Sequence, residues 1–266
     1  MLKDITIGQY IPGESVIHKL DPRTKIIATI LFITALFVVT DIVGYIFLTL
    51  FSILVIGISR LPLRFVLRGL KPLYYILAFT VILNFFLTPG KEIWRWWFLR
   101  LTEEGLRQGI FMGWRLLLLV LTTSLLTLTS SPIALTDGIE RLLTPFRSLG
   151  VPAHELAMMM TIALRFIPTL LEETDKIMKA QMARGADFDT GNIIQRAKGM
   201  VPLLVPLFIS AFRRADELAT AMEARCYRGG EGRTRLKELH YYARDYITLV
   251  FMLLLIGFAF WERFCP

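Results

Sequence analysis

The sequence predicts an all-α polytopic membrane protein, with about five transmembrane helices and long amphipathic helices among them. Three observations carry that expectation. Of 266 residues, 55% are hydrophobic and 12% aromatic, and the mean hydropathy is +0.56. Only 20% are charged, against roughly 25% in ordinary soluble domains, so one core of this size cannot hold all the apolar surface. The apolar residues also gather into runs long enough to enter a bilayer.

The elements follow in order. Residues 1–25 are polar and turn-rich, with no apolar stretch before a small-residue cleavage site, so they predict a cytoplasmic segment rather than a signal peptide. Ile26 to Ser59 is apolar but for Asp41 and a few small or hydroxyl residues. As one helix it would be about 51 Å long, too long for a core ~30 Å thick. It therefore splits at Thr40-Asp41 into spans 26–40 and 42–59. In residues 60–72, Arg60, Arg64, Arg68 and Lys71 share one helical face, with Leu63, Val66, Leu67 and Leu70 largely opposite, the pattern of an interfacial helix. A third span runs from Pro72 to about Leu87. The next loop holds Trp94, Trp96 and Trp97, suited to the aromatic belt. A fourth span covers 110–130, and a last one Tyr246 to about Trp261.

The stretch between the last two spans differs in kind. Residues 131–245 hold 16 Lys+Arg and 14 Asp+Glu among Met, Ala and Leu at helical spacing. Thr136 suits an N-cap, and Pro145 interrupts the helix it starts. A long helix is expected from Glu155 to Gly185, kinked at Pro168. A turn over 187–192 and a second long helix follow, from Ile193, bent at Pro202 and Pro206, to Arg225. The expected organisation is a segment 1–25, a transmembrane domain 26–130 of four spans, a cytoplasmic domain 131–245 of long amphipathic helices and a last span 246–266.

The net charge of +8 fits a cytoplasmic excess of Lys and Arg rather than nucleic acid as a partner. It orients the chain with its N-terminus in the cytoplasm, although Lys91, Arg95, Arg100 and Arg107 then fall outside. Cys226 and Cys265 make no disulfide framework, and His18, His154 and His240 are too scattered for a metal. No catalytic residue, metal site or cofactor is expected. No metalloprotease or nucleophile-elbow motif is present, and RGGEGR (228–233) lacks the Lys-Ser/Thr pair of a phosphate loop. Glu172-Glu173 and Asp216-Glu217 are expected on solvated helix faces. The span centres are expected to carry no acid, base or histidine, whereas a solo transporter needs ionisable groups there.

The two long helices end alike. TDKIMKAQMARG (174–185) laid on ADELATAMEARC (215–226) matches at Asp175/Asp216, Ala180/Ala221, Ala183/Ala224 and Arg184/Arg225, an offset of 41. Alanines before each arginine leave a smooth face for a partner's backbone. An arginine at a helix C-terminus also suits the macrodipole, so simple capping is an alternative to docking. Met158, Met159, Met160, Met178, Met182, Met200 and Met222 suit either a sliding surface or plain core filling.

These residues resemble the transmembrane T component of energy-coupling factor transporters. The resemblance rests on Ala183-Arg184-Gly185 and Ala224-Arg225-Cys226, on YIPGESVIHKLDPRTK (10–25) and on AMEARCYRGGEGRTR (221–235). Cys226 stands where glycine is more frequent, which leaves open whether a positive φ is needed there. The resemblance implies a scaffold in the plasma membrane for uptake of vitamins or other micronutrients. Its implied partners are two cytoplasmic ABC-type ATPases, each docking one arginine motif, and a small membrane-embedded subunit that binds the substrate. ATP hydrolysis would belong to the partners. A solo secondary transporter and a polytopic membrane enzyme are the alternatives.

Overall fold

The first helix begins where Asp21 accepts the Arg23 N–H on its Oδ1 (2.9 Å) and Pro22 fills a position that needs no donor. The computed structural model describes residues 10–70, 73–89, 91–96, 99–186, 188, 192, 199–230 and 238–264. Its helices are α1 (Pro22–Val38), α2 (Ile42–Ser59), α3 (Leu63–Leu70), α4 (Tyr74–Leu87), α5 (Glu103–Thr129), α6 (Pro132–Leu143), α7 (Ala153–Ala183), α8 (Val201–Ala224) and α9 (Ala243–Phe264). Strands β1 (Glu92–Trp96) and β2 (Leu99–Thr102) form an antiparallel hairpin. Residues 1–9, Lys71, Pro72, most of the 187–192 turn, the start near Ile193, the 231–235 stretch and Cys265 lie outside the described residues.

A helix occupies each of the five expected spans, as α1, α2, α4, α5 and α9. The boundary at Thr40-Asp41 is where α1 gives way to α2. The loop expected over 90–107 instead holds the β hairpin, with Glu92 opposite Thr102 and Trp96 opposite Leu99, and α5 takes over from Glu103. Its run of tryptophan, isoleucine and leucine favours extended backbone. Arg60 does not join α3; it closes α2 in the left-handed conformation, φ 53°. Within α3, Val66 is buried beside Leu61 and Leu128, while Leu67 is exposed.

Helix α5 starts seven residues before the expected span. Thr102 accepts the Gly105 N–H (3.1 Å), and Glu103 and Glu104 enrich the positive end of the dipole. That earlier start puts Arg115 near the middle of a 27-residue helix, contrary to the expectation of spans without central charges. Its Nε donates to the Tyr45 hydroxyl (2.8 Å) and its Nη2 to the Val39 carbonyl (3.4 Å). Val39 caps α1, so the cation sits at the level of the α1–α2 turn, where its hydrogen bonds are met. Gly109 allows α5 to approach α4: a Cβ there would lie 2.5 Å from the Phe85 ring.

Among the described residues four helices are long and apolar enough to cross a membrane: α2, α5, α7 and α9. Helices α1 (17 residues) and α4 (14 residues) are shorter. Helix α7 is the least apolar of the four. It lies in the stretch expected to hold no span, and qualifies because 153–171 carries few charges.

Within the described residues the chain divides into two units, one of 139–230, the other of 10–138 with 238–264. The second packs Phe32, Leu36, Tyr45, Leu48, Leu118 and Leu255 into one core. Its helix starts are tied by charge: Asp245, fully buried, accepts the Asp21 N–H (2.8 Å) and the Tyr242 N–H (2.9 Å). Lys25 donates to the Thr129 carbonyl (2.8 Å), placing a cation at the negative end of α5. His18 Nε2 donates to the Ile11 carbonyl (3.1 Å) and its Nδ1 pairs with the Ser15 hydroxyl (2.6 Å), and burial pushes the imidazole pKa below the usual range.

Candidate functional site

The 139–230 unit carries the arginine motifs, and its two long helices run antiparallel. Glu173 of α7 meets Ser210 and Arg214 of α8, while Gln181, later in α7, donates from Nε2 to the Pro202 carbonyl (3.2 Å), earlier in α8. Helix α7 continues through Pro168 as one element. Pro202, expected to bend α8, lies instead in its first turn, where a missing N–H costs nothing. Pro206 lies inside α8.

Both helices end in the same hydrogen-bonded turn. At the end of α7 the Gly185 N–H donates to Met182 O (2.9 Å) and the Ala186 N–H to Gln181 O (3.0 Å). At the end of α8 the Cys226 N–H donates to Glu223 O (2.8 Å) and the Tyr227 N–H to Met222 O (3.0 Å). Each is a Schellman closure, which satisfies carbonyls a helix end leaves open. Arg184 has φ −89° and ψ 5°, and Arg225 has φ −91° and ψ 10°. Gly185 follows at φ 88° and Cys226 at φ 56°. A positive φ is therefore required at position 226, answering the question that the cysteine raised. The conformation is one that side chains with a Cβ adopt at a cost.

Ala183, Arg184, Gly185, Ala224, Arg225 and Cys226 are all exposed. Among the described residues neither guanidinium has an ion pair or a hydrogen bond, and neither reaches a carbonyl of its own helix. The arginines do not cap by hydrogen bonding. Each presents an exposed planar fork of N–H donors beside an alanine, a shape that matches a carboxylate or backbone carbonyls.

The family model described as cobalt transport protein, CbiQ, matches residues 13–236. Curated relatives named energy-coupling factor transporter transmembrane protein EcfT align over nearly the whole chain. The one from Thermosediminibacter oceani is 61% identical over 263 residues, covering 99% of each chain. That from Clostridium kluyveri is 57% identical over 265 residues (99% and 98%), and that from Bacillus subtilis 50% over 264 (99% and 100%). The chain belongs to the EcfT family. It is thus a membrane-embedded component of an energy-coupling factor transporter, as the apolar helices and the resemblance both led one to expect.

Two side-chain clusters in this EcfT-family chain were not legible from sequence. His154, at the start of α7, bonds Glu140 Oε1 through Nδ1 (3.0 Å) and the Tyr227 hydroxyl through Nε2 (3.1 Å). Tyr227 is the residue that completes the Schellman turn after Arg225, so the second motif is held from the far end of the other helix. The fold joins this histidine to residues 14 and 73 positions away. Glu173 was expected in solvent, yet it is half-buried and paired with α8. Its signal was available: it stands 41 residues before an arginine, the offset of the repeat.

Proposed function

We propose that this chain is the scaffold through which two cytoplasmic ABC-type ATPase subunits drive a separate, small substrate-binding membrane subunit for uptake of vitamins or other micronutrients. Each ATPase takes one arginine motif: Ala183-Arg184-Gly185 at the end of α7, Ala224-Arg225-Cys226 at the end of α8. The observation that carries the reading is the pair of equal helix ends, with matching backbone angles and two guanidiniums that have no partner among the described residues. One such end could be an ordinary terminus, but two in the same geometry suit a pair of like partners.

The rest of the unit supports assembly. Met159, Met160, Phe208, Ile209 and Phe212 are exposed, an apolar surface of the kind that partners cover. Met182 and Met200 are exposed too, which favours a contact surface over core filling for those methionines. The scaffold hydrolyses no ATP itself; closure of the ATPase pair pushes α7 and α8, which reorient the substrate-binding subunit. In this reading the protein sits in the plasma membrane with its N-terminus and residues 131–245 in the cytoplasm, although α7 is apolar enough to cross.

The native cysteines test that topology. A membrane-impermeant maleimide should label the intact-cell wild type at Cys265, and a Cys265→Ser variant only after permeabilisation, through Cys226. Ser148→Cys, at an exposed position, should behave like Cys226. Gly230 is unsuitable as a reporter, since a Cβ there would lie 2.7 Å from the His154 ring. Ready labelling of Cys226 from outside intact cells would overturn the cytoplasmic assignment. Co-purification of the tagged chain with co-expressed ATPases tests the partnership, and a chain that captures neither would sink it.

A further inference from the structure

Both partners of the Glu173 carboxylate come from α8. The Ser210 hydroxyl donates to Oε1, and Arg214 donates to Oε2 from Nε (3.2 Å) and Nη2 (3.0 Å). The offset of 41 that lays Arg184 on Arg225 also lays Glu173 on Arg214. Residues at equivalent positions of two like segments meet one another only on a two-fold axis between them. The pair therefore marks the local axis of the α7–α8 hairpin. Each exposed arginine stands 11 residues beyond it (184 − 173 and 225 − 214), about 16 Å along its own helix. The two arms are equal in length and point in opposite directions, because the helices are antiparallel.

We propose that Glu173 and Arg214 are positioning residues, forming the pivot that fixes the register and crossing of α7 and α8 and so the separation of Arg184 and Arg225. This rests on the reading that those arginines dock two ATPases. Sliding one helix past the other by a single residue moves it about 1.5 Å, enough to break a fork-shaped contact whose directions are set. A half-exposed ion pair adds little to stability, so its geometry is the property that matters. Without it both arginines persist, but the distance between them is no longer single-valued.

The test uses the full chain in lipid nanodiscs, with and without co-expressed ATPases. Spin labels go on Ala186→Cys and Arg228→Cys, with Cys226→Ser and Cys265→Ser as background. One narrow distance is expected in this parent. Glu173→Gln should lose it, and should lose ATPase capture with it. The charge-swapped Glu173→Arg/Arg214→Glu should recover both, which tells a pivot from a pair that only adds stability. Ser210→Ala, which spares the ion pair, should broaden the distance less than Glu173→Gln. A narrow distance that persists in Glu173→Gln would overturn the pivot, as would a swap that restores nothing. An unlabelled wild-type chain that captures no ATPase would sink the docking reading, and the distances would still decide the pivot.

Discussion

The two long helices end in one geometry reached by different means. At the end of α7 a glycine adopts the left-handed turn, and nothing lies within 4 Å of where its Cβ would be. The backbone alone sets that end. At the end of α8 a cysteine takes the same turn at φ 56°, a conformation that costs a non-glycine residue about 1–2 kcal/mol. There the next residue is held: Tyr227 meets His154, which also meets Glu140, and Gly230 passes close under the His154 ring. One end is shaped by its own φ preference, the other by packing that overrides it. The same backbone turn can thus be kept by local sequence or by neighbours, and the two fail under different changes.

That contrast can be broken most sharply at His154. His154→Ala removes two hydrogen bonds, worth about 1–3 kcal/mol together. Amide exchange at Cys226 and Tyr227 should quicken while Gly185 and Ala186 keep their protection. Equal loosening of both ends would show that His154 supports the whole unit and not one terminus. Gly185→Ala has the next largest effect, about 1–2 kcal/mol of strain. Open space around it offers no steric clash, so the loss should appear only at the α7 end, by the same exchange measurement. Cys226→Gly is the smallest and has the opposite sign. Relief of the left-handed strain, less the added freedom of the unfolded chain, should stabilise the α8 end by about 0.5–1 kcal/mol. A lowered melting temperature of the co-expressed assembly would contradict it.

Much of the fold was legible because apolar runs of span length leave few alternatives. Helix α2 was expected over 42–59 and has those bounds. The interfacial helix lies inside its expected range, and both long helices end within two residues of the expected places. The misreadings came from competing local signals. Thr136 was expected to start α6, but Ser131 accepts the Ala134 N–H (3.2 Å) and Pro132 leads the helix. Thr136 then lies inside, donating to the Pro132 carbonyl. Pro202 was expected to bend α8 and lies instead in the first turn of Val201–Ala224. The hairpin at 92–102 has strand composition that a membrane-belt reading passed over. The likeness of the two helix ends was legible because it repeats in sequence. The His154 cluster was missed because its members share no spacing, and only the fold brings them together.

The central claim is that Arg184 and Arg225 each hold one ATPase, and counting captured ATPases tests it most directly. Charge-assisted hydrogen bonds are worth roughly 1.5–3 kcal/mol each, so losing those of one guanidinium weakens its site about tenfold or more. Arg184→Glu and Arg225→Glu should each retain one ATPase of two, the double variant neither, and Lys at either place should bind poorly because it lacks the planar fork. If the arginines served only the helix dipole, the cost would be about 0.3–1 kcal/mol of stability with assembly intact. Capture of both ATPases by the double variant at wild-type level would contradict the account.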